Sequence, residues 1–292
     1  MTVLLRPGNS NCGGCGMSSA LQLFGRAVES RPVQLVIPAC CGAVMAGSFP
    51  CSTLGAPTVL STFASAASVA TGLARVARLN GEATRVVCWA GDGGTYDIGL
   101  STLSAAAERN EDVLYVCYDN EIYGNTGGQR SSATPAGAST TSTPGGKLEP
   151  KKDILGILAA HRIPYAASIS LAHDQDGLEK MRRAVDLPGF RFLHVLSPCP
   201  TGWKSEPALG IELVRLAVRS GLYPVLEITD GRRLRISVEP DFSDEALELY
   251  LSLQRRFQRS GLTAADLRPA IDRQWRELRA RSGRIVPAER SR

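Results

Sequence analysis

No run of about 18 apolar residues interrupts the 292-residue sequence, so nothing in it reads as a membrane-spanning helix. The opening Met1-Thr2-Val3-Leu4-Leu5-Arg6-Pro7 is too short and too soon broken for a secretory signal, and the expected location is the cytoplasm. Excess charge is scarce as well. Against 33 Lys and Arg stand 28 Asp and Glu, a formal +5, with 43% hydrophobic and 21% charged residues. That balance excludes disordered, collagen-like and coiled-coil chains and fits one large globular domain. No internal repeat is visible. Because no secretory signal is present, the eight cysteines are not expected to form a disulfide framework, and metal ligation or redox chemistry is the expected use for some of them.

The small basic excess is concentrated. From Leu253 to Arg292 there are eleven Arg and four acidic residues, so the rest of the chain is slightly acidic. The segment has Phe257 and Trp275 but no basic-aromatic interleaving, so nucleic acid is not the expected partner. Its Leu/Arg period predicts an amphipathic helix docking by its apolar stripe on another, acidic subunit.

Short apolar runs alternate with segments of helical period. Strands are expected at 33–37, 86–89, 113–118, 165–169, 192–196 and 224–228, with a further short one at 234–238. Helices are expected at 17–28, 63–79, 98–108, 154–160, 177–185 and 207–219. This pattern predicts an α/β fold with a doubly wound, mainly parallel sheet over residues 1–240 and a basic helical extension over 241–292. Ligands of such folds gather at the carboxyl ends of strands. The polar stretch from Gly124 to Pro150 follows one strand end and holds almost no apolar residues, so it is expected to be a functional loop.

Two constellations fall at those strand ends. Arg85-Val86-Val87-Cys88-Trp89-Ala90 runs into Gly91-Asp92-Gly93-Gly94, and the next predicted strand ends at Asp119-Asn120. Asp92, the Asn120 side chain and the carbonyl of Ile122 are hard oxygen donors suited to Mg²⁺. The three glycines leave room for phosphates at the start of a helix. Taken alone, the Gly-Asp-Gly triplet is equally a plain strand-to-helix turn. Gly-Asp-Gly followed by Asn at this distance has the spacing of the thiamine diphosphate motif.

The second constellation is Cys12-Gly13-Gly14-Cys15, with Cys40 after an early strand and Cys199 in Pro198-Cys199-Pro200 after a late one. Four thiolates suit a 4Fe–4S cluster or a structural zinc. Cys40 and Cys41 are adjacent and should point oppositely; spacing favours Cys40 as ligand and leaves Cys41 to pack. Cys88 and Cys117 lie in apolar strands and are expected to be inert core residues. The three histidines, His161, His173 and His194, are expected to be structural.

Taken in order, Cys12-x2-Cys15-x24-Cys40, Gly91-Asp92-Gly93-Gly94-Thr95-Tyr96-Asp97-Ile98-Gly99, Tyr118-Asp119-Asn120-Glu121-Ile122-Tyr123-Gly124-Asn125-Thr126-Gly127-Gly128-Gln129 and Pro198-Cys199-Pro200-Thr201-Gly202-Trp203 resemble the β subunit of 2-oxoacid:ferredoxin oxidoreductases, the pyruvate synthase group. The resemblance spans about residues 6 to 230. It implies thiamine-diphosphate-dependent oxidative decarboxylation of a 2-oxoacid, whether pyruvate-like, branched-chain, aryl-substituted or oxalate. Electrons would pass to a 4Fe–4S cluster and on to ferredoxin, and the acyl group to coenzyme A in most members.

The resemblance also implies a partner α subunit that supplies the activating glutamate, with γ and ferredoxin-like δ subunits. Gly91, Asp92, Gly93, Gly94, Asn120, Ile122, Asn125 and Thr126 would bind the cofactor. Asp92, Asn120 and Ile122 would hold Mg²⁺, Cys12, Cys15, Cys40 and Cys199 the cluster, and Asn125 would face the reacting centre. Cys41 and Cys51 take no role from the family, and 63–67 lacks the acidic or amide residue often found there. A non-redox thiamine diphosphate decarboxylase or synthase subunit with structural zinc is the alternative.

Overall fold

A computed structural model describes residues 3–47 and 52–283; Cys51 lies outside the described residues. In chain order the elements are α1 (Gly16–Val28), β1 (Val33–Pro38), α2 (Cys41–Met45), β2 (Thr58–Ser61), α3 (Ala66–Leu79), β3 (Arg85–Gly91), α4 (Leu100–Glu108), β4 (Leu114–Asp119) and α5 (Ile154–Ala160). Then follow β5 (Tyr165–Ser170), α6 (Asp174–Asp186), β6 (Arg191–Leu196), α7 (Pro200–Trp203), α8 (Gly210–Arg219), β7 (Val225–Thr229), β8 (Arg233–Val238), α9 (Asp244–Ser252) and α10 (Ala264–Ser282).

The eight strands form one sheet in the order β2-β1-β3-β4-β6-β5-β7-β8. All neighbours from β2 to β5 are parallel, whereas β7 pairs antiparallel with β5 and β8 antiparallel with β7. The central strands read as unbroken apolar runs because both faces are covered. Along β3, Val87 and Trp89 face Phe24 of α1 and Met181 of α6. Val86, Cys88 and Ala90 face Ala70 of α3 and Leu103 of α4 on the other side. Cys88 and Cys117 are fully buried, and burial pushes both thiols up, as inert core residues require.

Three local features differ from the expectation. β2 is a half-exposed edge strand whose residues lack a clear alternation. The helix expected from Ile98 is preceded by a π-helical turn, Gly93–Asp97. The segment after Gly124, poor in apolar groups, is nevertheless held in place by polar ones: the buried Lys147 Nζ donates to the carbonyls of Thr134 at 2.7 Å, Ser132 at 3.2 Å and Pro150 at 3.3 Å.

The C-terminal extension also differs from what its stripe suggested. Ala264, Ile271 and Trp275 of α10 are buried within the chain, with Leu247 of α9 and beside Leu222, Ile236 and Phe242. Trp275 Nε1 donates to the carbonyl of Gly221 at 2.7 Å. The apolar stripe is therefore occupied by the protein's own sheet edge rather than left for another subunit. Trp275→Ala is expected to destabilise the chain itself by about 3–5 kcal/mol, through lost burial and a residual cavity. Calorimetric unfolding checks this, and an unchanged Tm would show that the extension is not part of the packed unit.

Candidate active site

β3 and β4 lie side by side with Gly91 paired to Tyr118, so the chain leaves both strands at one level, through Asp92 and through Asp119-Asn120. The π-helical turn then carries the backbone of Gly93 against Tyr123. A Cβ on Gly93 would stand 2.3 Å from that ring, so only glycine fits. Glu121 takes a left-handed conformation, φ +63°, which turns the backbone after Asn120 back towards Asp92. Between the two strand ends opens a cavity of about 420 Å³. Gly91, Asp92, Gly93, Gly94, Asn120, Ile122, Asn125 and Thr126 all line it, so the structure gathers every residue that the diphosphate and magnesium motifs singled out. Phe63 lines it too and meets Tyr123 edge-on at 5.9 Å.

The electrostatics of the floor are unequal. Burial, and next the Asp119 carboxylate, hold the Asp92 carboxyl well above the usual range, although the Ser131 hydroxyl donates to it. Asp119 is as deeply buried, and burial opposes its ionisation. Lys151 Nζ at 2.6 Å and His194 Nε2 at 2.7 Å overcome that and hold it below the usual range. Burial likewise works against the Lys151 ammonium, but Asp119 and Glu121, the latter at 2.8 Å, keep it charged. Asp119 is thus neutralised from beneath, whereas the Asp92 carboxyl at the cavity gains most from a cation placed above it. With the Asn120 amide and the Ile122 carbonyl beside it, this donor set fits Mg²⁺.

Sequence reasoning missed the supports below. Tyr96 Oη donates to Asp119 at 3.0 Å, and Tyr223 Oη lies 3.2 Å from His194 Nδ1. His194 packs as expected, yet it also orients Asp119. His161 Nε2 lies 3.0 Å from the Ser104 hydroxyl and His173 Nδ1 3.0 Å from that of Ser170. Glu121 is 4% exposed and accepts from Arg256, 2% exposed, at 2.7 Å. The Arg256 guanidinium stacks 4.4 Å from the ring of Trp203, whose Nε1 donates to the Asn120 carbonyl at 2.9 Å. Arg256→Met leaves Glu121 short of a partner in the core and is expected to cost about 3–5 kcal/mol, with much of it recovered in the double variant Glu121→Gln/Arg256→Met. A denaturant double-mutant cycle measures this; additive losses would show the two side chains are uncoupled.

The cysteines converge beside the same cavity. Gly16 N donates to the Pro198 carbonyl at 2.9 Å, and a Cβ on Gly16 would lie 2.4 Å from the Pro198 ring, so the loop from Cys12 to Cys15 seats directly on the Cys199 loop. Cys199 Sγ accepts from Gly202 N at 3.3 Å, and its thiol is raised by burial and then by Cys15 and Cys12 nearby. Cys40 and Cys41 are both half-buried and both line the cavity. Cys40 Sγ points inward, donating to the Pro38 carbonyl at 2.9 Å beside the Tyr118 hydroxyl. The Cys41 thiol is pushed up to about 12 by burial and then by Cys40, Cys199 and Cys15. A Cβ on Gly124 would lie 3.6 Å from Cys41 Sγ, so this thiol also abuts the loop carrying Asn125. Among the described residues no three His, Cys, Asp or Glu side chains are close enough to hold a single metal ion. No described helix is long and apolar enough to cross a membrane.

Comparison with known proteins agrees with this geometry. Residues 40–195 match the C-terminal TPP-binding domain of thiamine pyrophosphate enzymes. The chain is 43% identical over 262 residues to ketoisovalerate oxidoreductase subunit VorB of Pyrococcus abyssi, covering 86% of this chain and 84% of that one. It is 39% identical over 282 residues to pyruvate synthase subunit PorB of Methanothermobacter marburgensis, covering 94% and 97%. In fold it is similar to the 2-oxoglutarate:ferredoxin oxidoreductase from Magnetococcus marinus, with TM-score 0.59 and 23% identity over 72% of this chain and 79% of that one. With relatives this similar along nearly their whole length, the chain belongs to the β subunits of the 2-oxoacid:ferredoxin oxidoreductases, oxidoreductases built on the thiamine-diphosphate-binding domain.

Proposed function

We propose that this chain holds thiamine diphosphate, Mg²⁺ and a 4Fe–4S cluster in an enzyme that oxidatively decarboxylates a 2-oxoacid with an apolar side chain. One observation carries the reading: the cavity lined by Gly91, Asp92, Asn120 and Ile122 also takes in Cys40 and Cys41, and Cys15 and Cys199 act electrostatically on the Cys41 thiol. Bound thiamine diphosphate supplies the carbon nucleophile and electron sink for decarboxylation. Asp92, Asn120 and the Ile122 carbonyl hold the metal on the diphosphate, and the Gly93 backbone admits the phosphates. Asn125 and Thr126, lining the same cavity, orient the substrate, and Phe63 with Tyr123 excludes water from its rim. Cys12, Cys15 and Cys199 with Cys41, in place of Cys40, form the proposed cluster ligands.

The lining favours the substrate class. It includes Ala39, Ala43, Val44, Phe63 and Ile122 and no Lys or Arg, so it suits a methyl, branched or aryl side chain better than a second carboxylate. VorB of Pyrococcus abyssi, by its name, acts on ketoisovalerate. The activating glutamate is assigned to an α subunit, because this chain's own Glu121 is taken up by Lys151 and Arg256. Ferredoxin is the proposed acceptor and coenzyme A the acyl acceptor.

The test is an assay of the anaerobically purified complex with pyruvate, 2-oxoisovalerate, phenylglyoxylate and 2-oxoglutarate, following ferredoxin reduction with and without coenzyme A. The expected order places 2-oxoglutarate last. A preference for the dicarboxylate would overturn the substrate class, and decarboxylation without ferredoxin reduction would overturn the redox reading.

A further inference from the structure

On the outer side of the Cys199 loop lies a second hollow, of about 400 Å³, that shares no lining residue with the cofactor cavity. Its wall carries Lys204, Arg255 and Arg259, all exposed, with Ser139, Thr201 and Ser205 between them and no carboxylate. Among the described residues none of the three cations has an ion-pair partner. The site is built rather than incidental. Arg255 N donates to the Lys204 carbonyl at 3.3 Å and Ser139 N to the Arg256 carbonyl at 2.7 Å, so three separate stretches of chain are tied around it by their backbones. Lys204 holds a left-handed conformation, φ +53°, as the C-cap that ends α7. Ser139 and Ser205 each bury a hydroxyl oxygen that has no hydrogen-bond partner. Buried hydroxyls are nearly always satisfied, so a ligand oxygen in the hollow would supply the partner each lacks.

The geometry points to a binding site for a phosphomonoester dianion at this hollow. Three cations without ion-pair partners and two available hydroxyls around one hollow match a doubly charged group with three acceptor oxygens, and a concave wall suits a small ligand better than a flat protein surface. Two sources share that chemistry: free inorganic phosphate, and the terminal phosphate of a nucleotide such as the 3′-phosphate of coenzyme A.

The experiment is calorimetric titration of the full chain with inorganic phosphate, coenzyme A and dephospho-coenzyme A. Each titration is run with and without saturating thiamine diphosphate and Mg²⁺, so that the diphosphate cradle is separately accounted for. Arg255→Glu/Arg259→Glu is expected to weaken phosphate binding at least about tenfold, while Arg78→Glu on α3 leaves it unchanged. Ser139→Ala is expected to weaken it about threefold without lowering Tm, because the hydroxyl it removes is unpartnered in the free chain. Coenzyme A binding at least about tenfold tighter than dephospho-coenzyme A identifies the nucleotide source; equal binding of those two, with phosphate still bound, identifies free phosphate. Phosphate bound equally by the double charge variant, or by none of the proteins at millimolar concentration, overturns the site. Charge-dependent binding that persists without thiamine diphosphate belongs to the hollow even if the proposed function fails.

Discussion

Asp92→Ala is expected to abolish thiamine diphosphate and Mg²⁺ binding, with affinity falling by more than about 100-fold. Losing a residue that merely orients a metal ligand typically costs about 10–100-fold, and Asp92 is proposed as the ligand itself. Without it, the metal that would neutralise the diphosphate loses its carboxylate anchor, and Asp119, already neutralised by Lys151 and His194, offers no replacement. The free chain tells the opposite story. Because burial and Asp119 both oppose the Asp92 charge, Asp92→Asn should leave cofactor-free protein at least as stable as wild type. Calorimetry with cofactor and thermal unfolding without it check the two halves. Wild-type cofactor affinity in either variant would remove Asp92 from the metal site.

The second large effect separates two neighbouring thiols. Cys41→Ala is expected to strip iron from the anaerobically prepared complex and to erase the low-temperature paramagnetic signal of the reduced protein. Cys40→Ala should keep both, at a cost of about 1 kcal/mol for an inward-facing side chain. Neither change touches Asp92 or Asn120, so thiamine diphosphate content should survive in both. Iron lost from the Cys40 variant and kept in the Cys41 variant would restore the ligand set read from spacing, and stoichiometric zinc in fresh wild type would end the cluster reading.

These two cases mark where the sequence was legible. The central strands announced themselves because burial on both faces forces unbroken apolar runs, and the parallel sheet then fixed which loops share an end. That Asp92, Asn120 and Asn125 would share one cavity was legible for that reason. β2 gave no such signal, being half exposed at an edge. Alternation along an extended chain predicts that Cys40 and Cys41 point apart, but not which points in. The backbone there is held by Tyr118, whose hydroxyl accepts from Gly42 N at 3.1 Å, a partner 76 positions away. Arg256 was hidden by the same distance effect. In the sequence it is one more arginine in a basic tail, and only the fold brings it to Glu121 beside the Asn120 loop. The basic tail's apolar stripe misled for a related reason, since an amphipathic period reports a buried face without naming what buries it.

The seat of the Cys12–Cys15 loop on Pro198 bears on how the protein is made. A nascent chain presents Cys12 and Cys15 early, but the wall they rest on emerges only with β6 and the loop behind it. At about 5–20 residues per second, Cys199 trails Cys15 by roughly 10–40 s of synthesis. During that interval the first thiols are unsheltered and open to oxidation or to stray metal ions. Assembly of the proposed cluster would therefore follow translation of the sheet's centre, and expression at high oxygen tension should yield full-length protein that is folded yet poor in iron.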